Sequence, residues 1–445
     1  MADAAALLEF RPVETRVPEA VRPWRLAARI AFRFFSVYFG IYVVITQMFR
    51  GLIPFSINIP NISAVGPVRW MVEWTAVNVF GVTTPLVFTG SGSGDKTTDW
   101  VLVFCLLIIT TAVTAVWSIA ARRPVNYDTA HKWFRLFLRF SLGSTMLGYG
   151  VSKVIPLQMP FPSLTRLLEP YGYFSPMGVL WASIGASRSY EIFTGALEMT
   201  AGILLFIPQT ALLGAFLAMA CMGEIFTLNM TYDVPVKLFS FHLLLMSLFL
   251  LAPDAKRLLN VVVLNRPAAV SVIPPLGRTT RAIRIGVALQ LILGCLLVFQ
   301  GVQNSINAWH TFGGGSPRSP LFGIWNVTYL SIDGVERAPL VTDYDRWRRL
   351  VFDVPTRMSF HRMDDTFVPF NSKIDVDAKS IVLTRAGNDK WSSTFSFDRP
   401  SPDRMALDGE MDGKKVRLRL ELLPRENFLL VTRGFNWVQE YPFNR

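Results

Sequence analysis

Residues 100–121 of this chain read WVLVFCLLIITTAVTAVWSIAA, and Arg122 and Arg123 follow directly. The run contains no charged side chain, although 17% of the 445 residues are Asp, Glu, Lys or Arg. A helix of about 20 consecutive apolar residues is long enough to cross the hydrocarbon core of a bilayer. The run therefore predicts a transmembrane helix that ends at the arginine pair.

The same pattern recurs along the first two thirds of the chain, and 51% of all residues are hydrophobic. The other apolar blocks cover 24–49, 134–155, 190–207, 210–230, 236–252 and 285–305. The first block is too long for a cleavable signal peptide and lacks a small-residue cleavage site, so we expect it to remain as a helix. The blocks predict a polytopic α-helical membrane protein of about seven transmembrane helices.

The distribution of Lys and Arg predicts the orientation of these helices. Basic residues concentrate in the N-terminal arm and in the connections 122–139 and 256–284. Because short cytoplasmic loops carry the positive excess, these segments are placed inside a bacterial-type cytoplasmic (inner) membrane. The C-terminal region then lies in the periplasm or outside the cell. We attribute the net charge of +12 to this topology and not to nucleic-acid binding. Arginine rows at the inner helix ends are expected to snorkel to lipid headgroups: Arg25, Arg29 and Arg33, and Lys132, Arg135 and Arg139.

Two outer loops are longer than a crossing requires. In the first, Pro67 begins a segment that places Trp70 and Trp74 on one face, which is typical of a helix lying in the membrane interface. The Gly-Ser run 90–94 is expected to be a slack tether. In the second loop, Ser163 and Ser175 are predicted helix starts. These short helices would either roof the bundle or only anchor it at the interface.

Four ionisable side chains lie in or beside four consecutive apolar blocks: Lys153, Glu198, Glu224 and His242. An ionisable residue within a membrane span is a functional-site hypothesis by default. From the helix rise, the last three lie roughly 9–12 Å below the outer surface, with Lys153, Tyr149 and Glu191 nearby. If the four helices pack together, these groups form one polar pocket that can exchange protons. The alternative is an ion pair that only locks the helices in register.

The third to sixth blocks resemble the DoxX family of four-helix membrane proteins, which includes the DoxD subunit of thiosulfate:quinone oxidoreductase. The matching stretches are 147–153, LGYGVSK, and 197–205, LEMTAGILL, and the similarity covers residues 134–253. The resemblance implies a four-helix bundle and a quinone-linked redox role. The chain itself carries no cofactor motif, so quinone is the one cofactor that the resemblance implies, and a partner subunit would have to supply the electron carrier.

Beyond Trp309 the pattern changes to short alternating segments separated by turns such as Asp333-Gly334 and Asp412-Gly413. We count about eight or nine strands, which favours an all-β antiparallel barrel. The segment opens with Gly323-Ile324-Trp325, which resembles the Gly-x-Trp signature of lipocalin-like barrels. In those barrels a basic residue covers the Trp, and Arg433 is the matching position. The barrel could hold an apolar ligand or be fully packed. His361, Asp364 and Asp365 are interpreted as a solvated turn and not as a metal site.

The sequence thus divides into a cytoplasmic arm, two helices with an outer loop, the DoxX-like bundle, a basic loop with the seventh helix, and the outer barrel: 1–23, 24–133, 134–253, 254–308 and 309–445. Its three cysteines form no C-x-x-C pair, so no disulfide framework or thiol redox pair is predicted. The first functional hypothesis is a quinone-interacting, redox-linked membrane subunit. The second is a non-enzymatic assembly or lipid-handling protein whose barrel binds a partner or an apolar ligand. A vitamin K carboxylase-like enzyme is a third hypothesis, for which the chain offers no motif.

Overall fold

The computed structural model describes residues 24–54, 62–121, 125–268 and 275–444. The predicted cytoplasmic arm 1–23 lies outside these residues. The chain forms two compact units, each built from three stretches. The first contains the described parts of 1–147, 200–229 and 235–298, and the second contains those of 148–199, 230–234 and 299–445. These units differ from the predicted domains, because the boundary between them passes through the predicted four-helix bundle.

Helices occur at every predicted span. The long helices are α1 (Leu26–Ile45), α4 (Thr97–Ala120), α5 (Asp128–Val154), α8 (Arg188–Phe206), α9 (Ala211–Thr231), α10 (Lys237–Leu251) and α12 (Thr280–Thr311). Shorter helices are α2 (Gln47–Gly51), α3 (Gly66–Asn78), α6 (Leu164–Leu168), α7 (Pro176–Ala186), α11 (Ala255–Leu258) and α13 (Leu429–Thr432). Among the described residues, five helices are long and apolar enough to cross a membrane: α1, α4, α9, α12 and α10 with its extension to Val263. The other two long helices, α5 and α8, are more polar and carry the charged side chains discussed below.

Arginines on α1 and α5 bind the carboxyl ends of neighbouring helices in the first unit. Arg139 donates from Nε and Nη2 to the carbonyl oxygen of Leu205, at 3.0 and 2.8 Å, near the end of α8. One turn earlier, Arg135 donates to the carbonyl of Leu250 at the end of α10. A cation satisfies carbonyls that have no partner within the helix and opposes the negative end of the helix dipole.

Arg33 has a similar role at the end of α4, and the prediction that it reaches a lipid headgroup is wrong. Its guanidinium donates to the Ser118 hydroxyl at 2.8 Å, to the Tyr127 hydroxyl at 3.0 Å and to the Ala121 carbonyl at 3.4 Å. The side chain is 1% exposed, so it does not snorkel to a headgroup. For Arg33, Arg135 and Arg139, hydroxyl and carbonyl oxygens of neighbouring elements supply the partners.

The first outer loop is more ordered than a tether. Its helix α3 begins with Pro67 in the first turn, and Trp70 and Trp74 are exposed on one face, as predicted. The Gly-Ser run is fixed at its end, since the Gly94 amide donates to the Pro235 carbonyl. Asp95 accepts hydrogen bonds from the amides of Lys237 and Leu238, at 2.8 and 2.9 Å. The predicted tether is therefore anchored at Gly94, and Asp95, the next residue, caps the start of α10.

The C-terminal part of the second unit is a closed antiparallel barrel, which confirms the predicted fold of this region. Its strands are β1 (Gly323–Ile332), β2 (Val335–Glu336), β3 (Trp347–Phe352), β4 (Arg357–Arg362), β5 (Phe367–Asp375), β6 (Ser380–Arg385), β7 (Asn388–Ser401), β8 (Arg404–Met411) and β9 (Lys414–Leu423). From β3 to β9 each strand pairs with the next, and β1 pairs with both β3 and β9, which closes eight strands. The short β2 only extends β1.

Turn residues and alternation set the register of the barrel. Asp333 and Gly334 both have positive φ, 50° and 82°, as do Asp412 and Gly413, 51° and 77°. Two central residues with positive φ define the tight hairpin turn that matches strand twist. In β9, Val416, Leu418 and Leu420 are buried while the intervening residues are exposed.

The barrel interior is packed with large side chains, including Phe352, Phe370 and Phe395. Trp347 stacks on Phe360 with ring centroids 3.8 Å apart. This arrangement agrees with the packed-barrel interpretation of the sequence.

The second outer loop packs on the outside of the barrel, within the same unit. Ser163 caps α6 and Ser175 caps α7, each accepting a hydrogen bond from an amide three residues later, as the sequence predicts. Leu164 of α6 is buried against Ile324 of β1 and Val351 of β3. Around these three lie Leu167, Leu168, Phe322, Phe367, Leu423 and Phe428. The loop therefore forms part of the barrel unit.

Candidate functional site

A close contact between α5 and α8 positions the candidate site. A Cβ atom at Gly150 would lie 2.4 Å from the backbone nitrogen of Met199. One at Gly195 would lie 2.5 Å from the Cβ of Lys153 and 2.7 Å from the Gly150 carbonyl oxygen. Real Cβ atoms do not approach neighbours so closely, so glycine is required at both positions. Small residues that let helix backbones touch are typical of packed membrane helices.

This contact brings Lys153 and Glu198 together. Each lies three residues beyond one of the two glycines, and their side chains form an ion pair from Lys153 Nζ to Glu198 Oε1. Lys153 is 6% exposed and Glu198 2%. A buried pair of opposite charges removes much of the penalty that either charge would incur alone. The two stretches that resemble the DoxX family, 147–153 and 197–205, are thus joined by the contact between Lys153 and Glu198.

A second carboxylate lies in the same unit. Glu191 is one heptad before Glu198 on α8 and is 1% exposed. Its Oε1 accepts a hydrogen bond from the Met159 amide at 3.0 Å. The positive charges of Lys153 and Arg188 also act on it. The unit therefore buries two carboxylates near one lysine.

His242 lies in the other unit and has a different environment. Its Nδ1 is 2.6 Å from the Leu238 carbonyl oxygen, which can only accept, so Nδ1 carries the proton. Its Nε2 then accepts from the Tyr38 hydroxyl at 2.7 Å. The Tyr42 ring stacks on the imidazole with centroids 4.0 Å apart. Both ring nitrogens are satisfied, which is the arrangement of a neutral packing histidine.

The remaining residues of the predicted pocket differ from these. Glu224 lies on α9 in the first unit and is exposed, unlike the other three ionisable residues. Tyr149 is half-buried on α5, and its carbonyl accepts from the Ser152 hydroxyl. The structure thus brings Lys153, Glu198 and Glu191 together in one unit, while Glu224 and His242 belong to the other. One pocket containing all four ionisable residues stays a prediction.

The basic residue over Trp325 is not the one predicted. Trp325 is fully buried and donates from Nε1 to the Leu321 carbonyl at 3.0 Å. The guanidinium carbon of Arg399, on β7, lies 5.3 Å from its ring centroid. Arg433 lies beyond the last strand, 4.5 Å from the ring of Phe443. The prediction of Arg433 is wrong because the last strand of the barrel ends at Leu423, ten residues before Arg433.

The sequence suggested that His361 belongs to a solvated turn, but its side chain is buried. It lies on β4, and its Nε2 is 3.2 Å from Asp365 Oδ1. Burial, and secondly the charge of Arg349, lower the pKa of His361 to about 4. Asp364 does lie in an exposed turn and accepts from Thr366. Within the described ranges, no group of three His, Cys, Asp or Glu side chains is placed to hold a metal ion.

Three contributors could not be read from the sequence: Tyr38, Tyr42 and Asp353. Tyr38 and Tyr42 recur four residues apart on α1, a spacing that puts both on one face, but nothing in the sequence links that face to α10. Asp353 follows β3 and accepts from the Leu164 amide at 3.1 Å. Its partner is 189 residues earlier in the chain, and no local pattern announces such a contact.

Comparisons with known proteins give one relative. No family model matches this chain. The uncharacterised protein YwoB of Bacillus subtilis (strain 168) is 34% identical to it over 128 residues, which are 29% of this chain and 79% of YwoB. No solved structure matches it.

Proposed function

This chain belongs to the same family as YwoB of Bacillus subtilis, and we propose that it is a polytopic membrane protein with a barrel outside the cytoplasm. The exposed side chains of the apolar helices support this. On α4, Ile108, Val116 and Ile119 are more than half exposed, and on α12 Leu289 and Phe299 are 60% and 64% exposed. Large apolar surfaces of this kind require lipid or a partner, and helices satisfy their own backbone groups within a bilayer.

The orientation that we propose has the N-terminus in the cytoplasm of a bacterial-type cell. It rests on the concentration of Lys and Arg in alternate connections. The arginine contacts agree with it, since Arg33, Arg139 and Arg135 bind the carboxyl ends of α4, α8 and α10. With the N-terminus inside, all three helices run inward and end at the cytoplasmic side, where basic residues collect.

Within this frame we propose a redox-linked role, in which the buried carboxylates exchange protons with a quinone. The observation that carries the proposal is the burial of Glu191 and Glu198 near Lys153, with the Arg188 charge also acting on Glu191. The ion pair with Lys153 needs only one carboxylate, and the second buried carboxylate is the candidate site for binding and releasing a proton. Residues 134–253 would then form a DoxX-like unit.

Quinone reduction requires two electrons and two protons for each quinone. The buried carboxylates would supply protons, and the Lys153 charge would stabilise the carboxylate that remains. The electrons would come from a partner subunit, because the chain carries no cofactor motif of its own. Proton transfer through a positioned carboxyl group is general acid catalysis, which depends on a pKa close to the working pH.

Quinone reduction in membranes tests this proposal. Membranes with and without the protein should differ in their rate of reducing a short-chain quinone. Glu191→Gln and Glu198→Gln should abolish that difference while the protein still accumulates, because the amide cannot donate a proton. The matched control is Glu73→Gln, which neutralises an exposed carboxylate paired with Arg69. The redox role is rejected if both site variants keep the wild-type rate, or if they only prevent accumulation.

A specific surface favours the second candidate, an assembly protein that binds a partner through its barrel unit. The segment after β9 exposes Phe435, Trp437 and Tyr441 at 78%, 91% and 84%. Exposed aromatic clusters of this kind are typical of interaction sites. A stoichiometric partner that purifies with the wild type in mild detergent should be lost from a Phe435→Ser, Trp437→Ser double variant. Retention of that partner would count against this candidate.

A further inference from the structure

Residues 159–164, Met-Pro-Phe-Pro-Ser-Leu, connect the buried carboxylate site to the barrel within one compact unit. We call them the strap. At one end, the Met159 amide donates to Glu191 Oε1 at 3.0 Å. At the other end, the Leu164 amide donates to Asp353 Oδ2 at 3.1 Å. Both acceptors are carboxylates, and hydrogen bonds to charged groups contribute more to stability than neutral ones.

The strap is stiff because of its sequence. Pro160 and Pro162 each fix φ near −65°. Each also restricts the residue before it, Met159 or Phe161, to extended conformations. The strap bends at Met159 and Phe161, so its stiffness comes from the fixed proline φ angles and not from a straight course. A displacement at one end is therefore transmitted to the other through a restricted backbone.

Neighbouring elements hold the strap along its length. A Cβ atom at Gly185 of α7 would lie 2.4 Å from the Pro160 carbonyl oxygen, so α7 touches the strap backbone directly. The Arg425 guanidinium lies 5.2 Å from the Phe161 ring centroid. The Trp181 indole donates to the carbonyl of Gln158, one residue before the strap. The strap has contacts from α7, α8 and the segment after β9, and little room to move alone.

Asp353 is the barrel end of this connection and is itself held by other groups. The charges of Arg425 and Arg318 act on its carboxylate. Its carbonyl oxygen accepts from the Ser319 amide. Burial of Leu164 against Ile324 and Val351 fixes α6 on the outer face of the barrel. Asp353 thus joins the strap to the segment before β1, which contains Arg318 and Ser319, and to Arg425 after β9.

We propose that the strap couples the barrel to the buried Glu191 carboxylate, so that losing the hydrogen bond at one end weakens the hydrogen bond at the other. Such coupling is reciprocal: the Asp353 contact stabilises the Glu191 contact by the same free energy by which the Glu191 contact stabilises the Asp353 contact. Its physiological meaning rests on the proposed function, since a partner on the barrel would then regulate proton binding at Glu191. The coupling itself is a property of the fold and needs no quinone.

Hydrogen exchange of the full-length protein in detergent micelles tests the coupling, with the rates of the Met159 and Leu164 amides resolved by fragmentation. Asp353→Ala removes the acceptor of Leu164. We expect exchange to rise by about tenfold at Leu164, as for a lost hydrogen bond to a charged group, and several-fold at Met159, whose own acceptor is intact. Glu191→Ala, which removes the acceptor of Met159, should produce the converse pattern.

Two variants make the result specific to the strap. Pro160→Gly combined with Pro162→Gly makes the strap more flexible without changing either acceptor. When Asp353→Ala is added to this double variant, hydrogen exchange should become faster at the Leu164 amide alone. Asp375→Ala removes a carboxylate acceptor from the Ala378 amide in the turn after β5 and should leave both strap amides unchanged. Protected amides in β8 and β9 show that each variant is folded. The proposal is overturned if Asp353→Ala, in the chain with both prolines, accelerates hydrogen exchange at the Leu164 amide but not at the Met159 amide.

Discussion

Two glycines in the stretch LGYGVSK offer a matched pair of substitutions that test the contact between α5 and α8. A Cβ atom at Gly148 would meet no atom within 4 Å. At Gly150, two residues later on the same helix, it would lie 2.4 Å from Met199 N and 2.8 Å from the Gly195 carbonyl oxygen. Gly148→Ala and Gly150→Ala therefore make the same chemical change with and without a steric clash.

The expected magnitudes follow from this geometry. Alanine is more favourable than glycine inside a helix by about 1 kcal/mol, so Gly148→Ala should stabilise the protein by that amount. Gly150→Ala has the same intrinsic gain, but α8 must retreat by about 1 Å before the new contacts reach ordinary van der Waals distance. Overpacking of this kind costs about 1–3 kcal/mol. The two variants should therefore differ by about 1–3 kcal/mol, with Gly150→Ala the less stable.

Thermal unfolding in detergent measures the difference, with the loss of the monodisperse peak in size-exclusion chromatography as the readout. For a large domain, each kcal/mol shifts the Tm by about 2–4 °C. Gly148→Ala should unfold at a higher temperature than the wild type, and Gly150→Ala several degrees below Gly148→Ala. Equal Tm values for the two alanine variants would refute the close helix contact, and with it the geometry that joins Lys153 to Glu198.

Three further predictions concern charged groups. Lys153→Met removes the charge that pairs with buried Glu198 and should cost about 3–5 kcal/mol. Glu198→Leu should restore most of this loss in the double variant, and a double variant as unstable as the single one would contradict the ion-pair account. The pKa of His361 is lowered to about 4 from 6.5, so its contribution to stability is complete above pH 6.5 and is lost as the pH falls toward 4, by up to about 3 kcal/mol. His361→Phe should remove this slope from the pH dependence of hydrogen exchange in β4, and an unchanged slope would assign it to another group. Arg139→Leu should cost about 1–3 kcal/mol in thermal unfolding by leaving the Leu205 carbonyl without its cap, whereas an unchanged Tm would show that the cap contributes nothing.

Much of the fold follows from local patterns. Apolar blocks such as 100–121 produced helices because their length and composition need no knowledge of distant residues. The β9 alternation and the Asp-Gly turns defined strands and hairpins for the same reason. Ser163 and Ser175 marked helix starts correctly, since a cap hydrogen bond spans only three residues.

The candidate site was predictable only in part. Lys153 and Glu198 stood out because a charge in an apolar stretch is unusual at any position. The Arg433 prediction failed because the residue that covers Trp325 depends on where strands end, and Arg399 is equally basic. The partners of His242 also stayed hidden, because Tyr38 is 204 residues away.

The sequence by itself determined the helices, the barrel and the presence of charges in apolar surroundings, because each depends on composition or on spacing within one element. Only the tertiary structure decided which charges meet. Gly150 and Gly195 let two helix backbones touch and so place Lys153 on Glu198, whereas the strap joins Glu191 to a barrel residue far along the chain. Such contacts depend on how whole elements pack, and packing is fixed by the sum of many distant interactions.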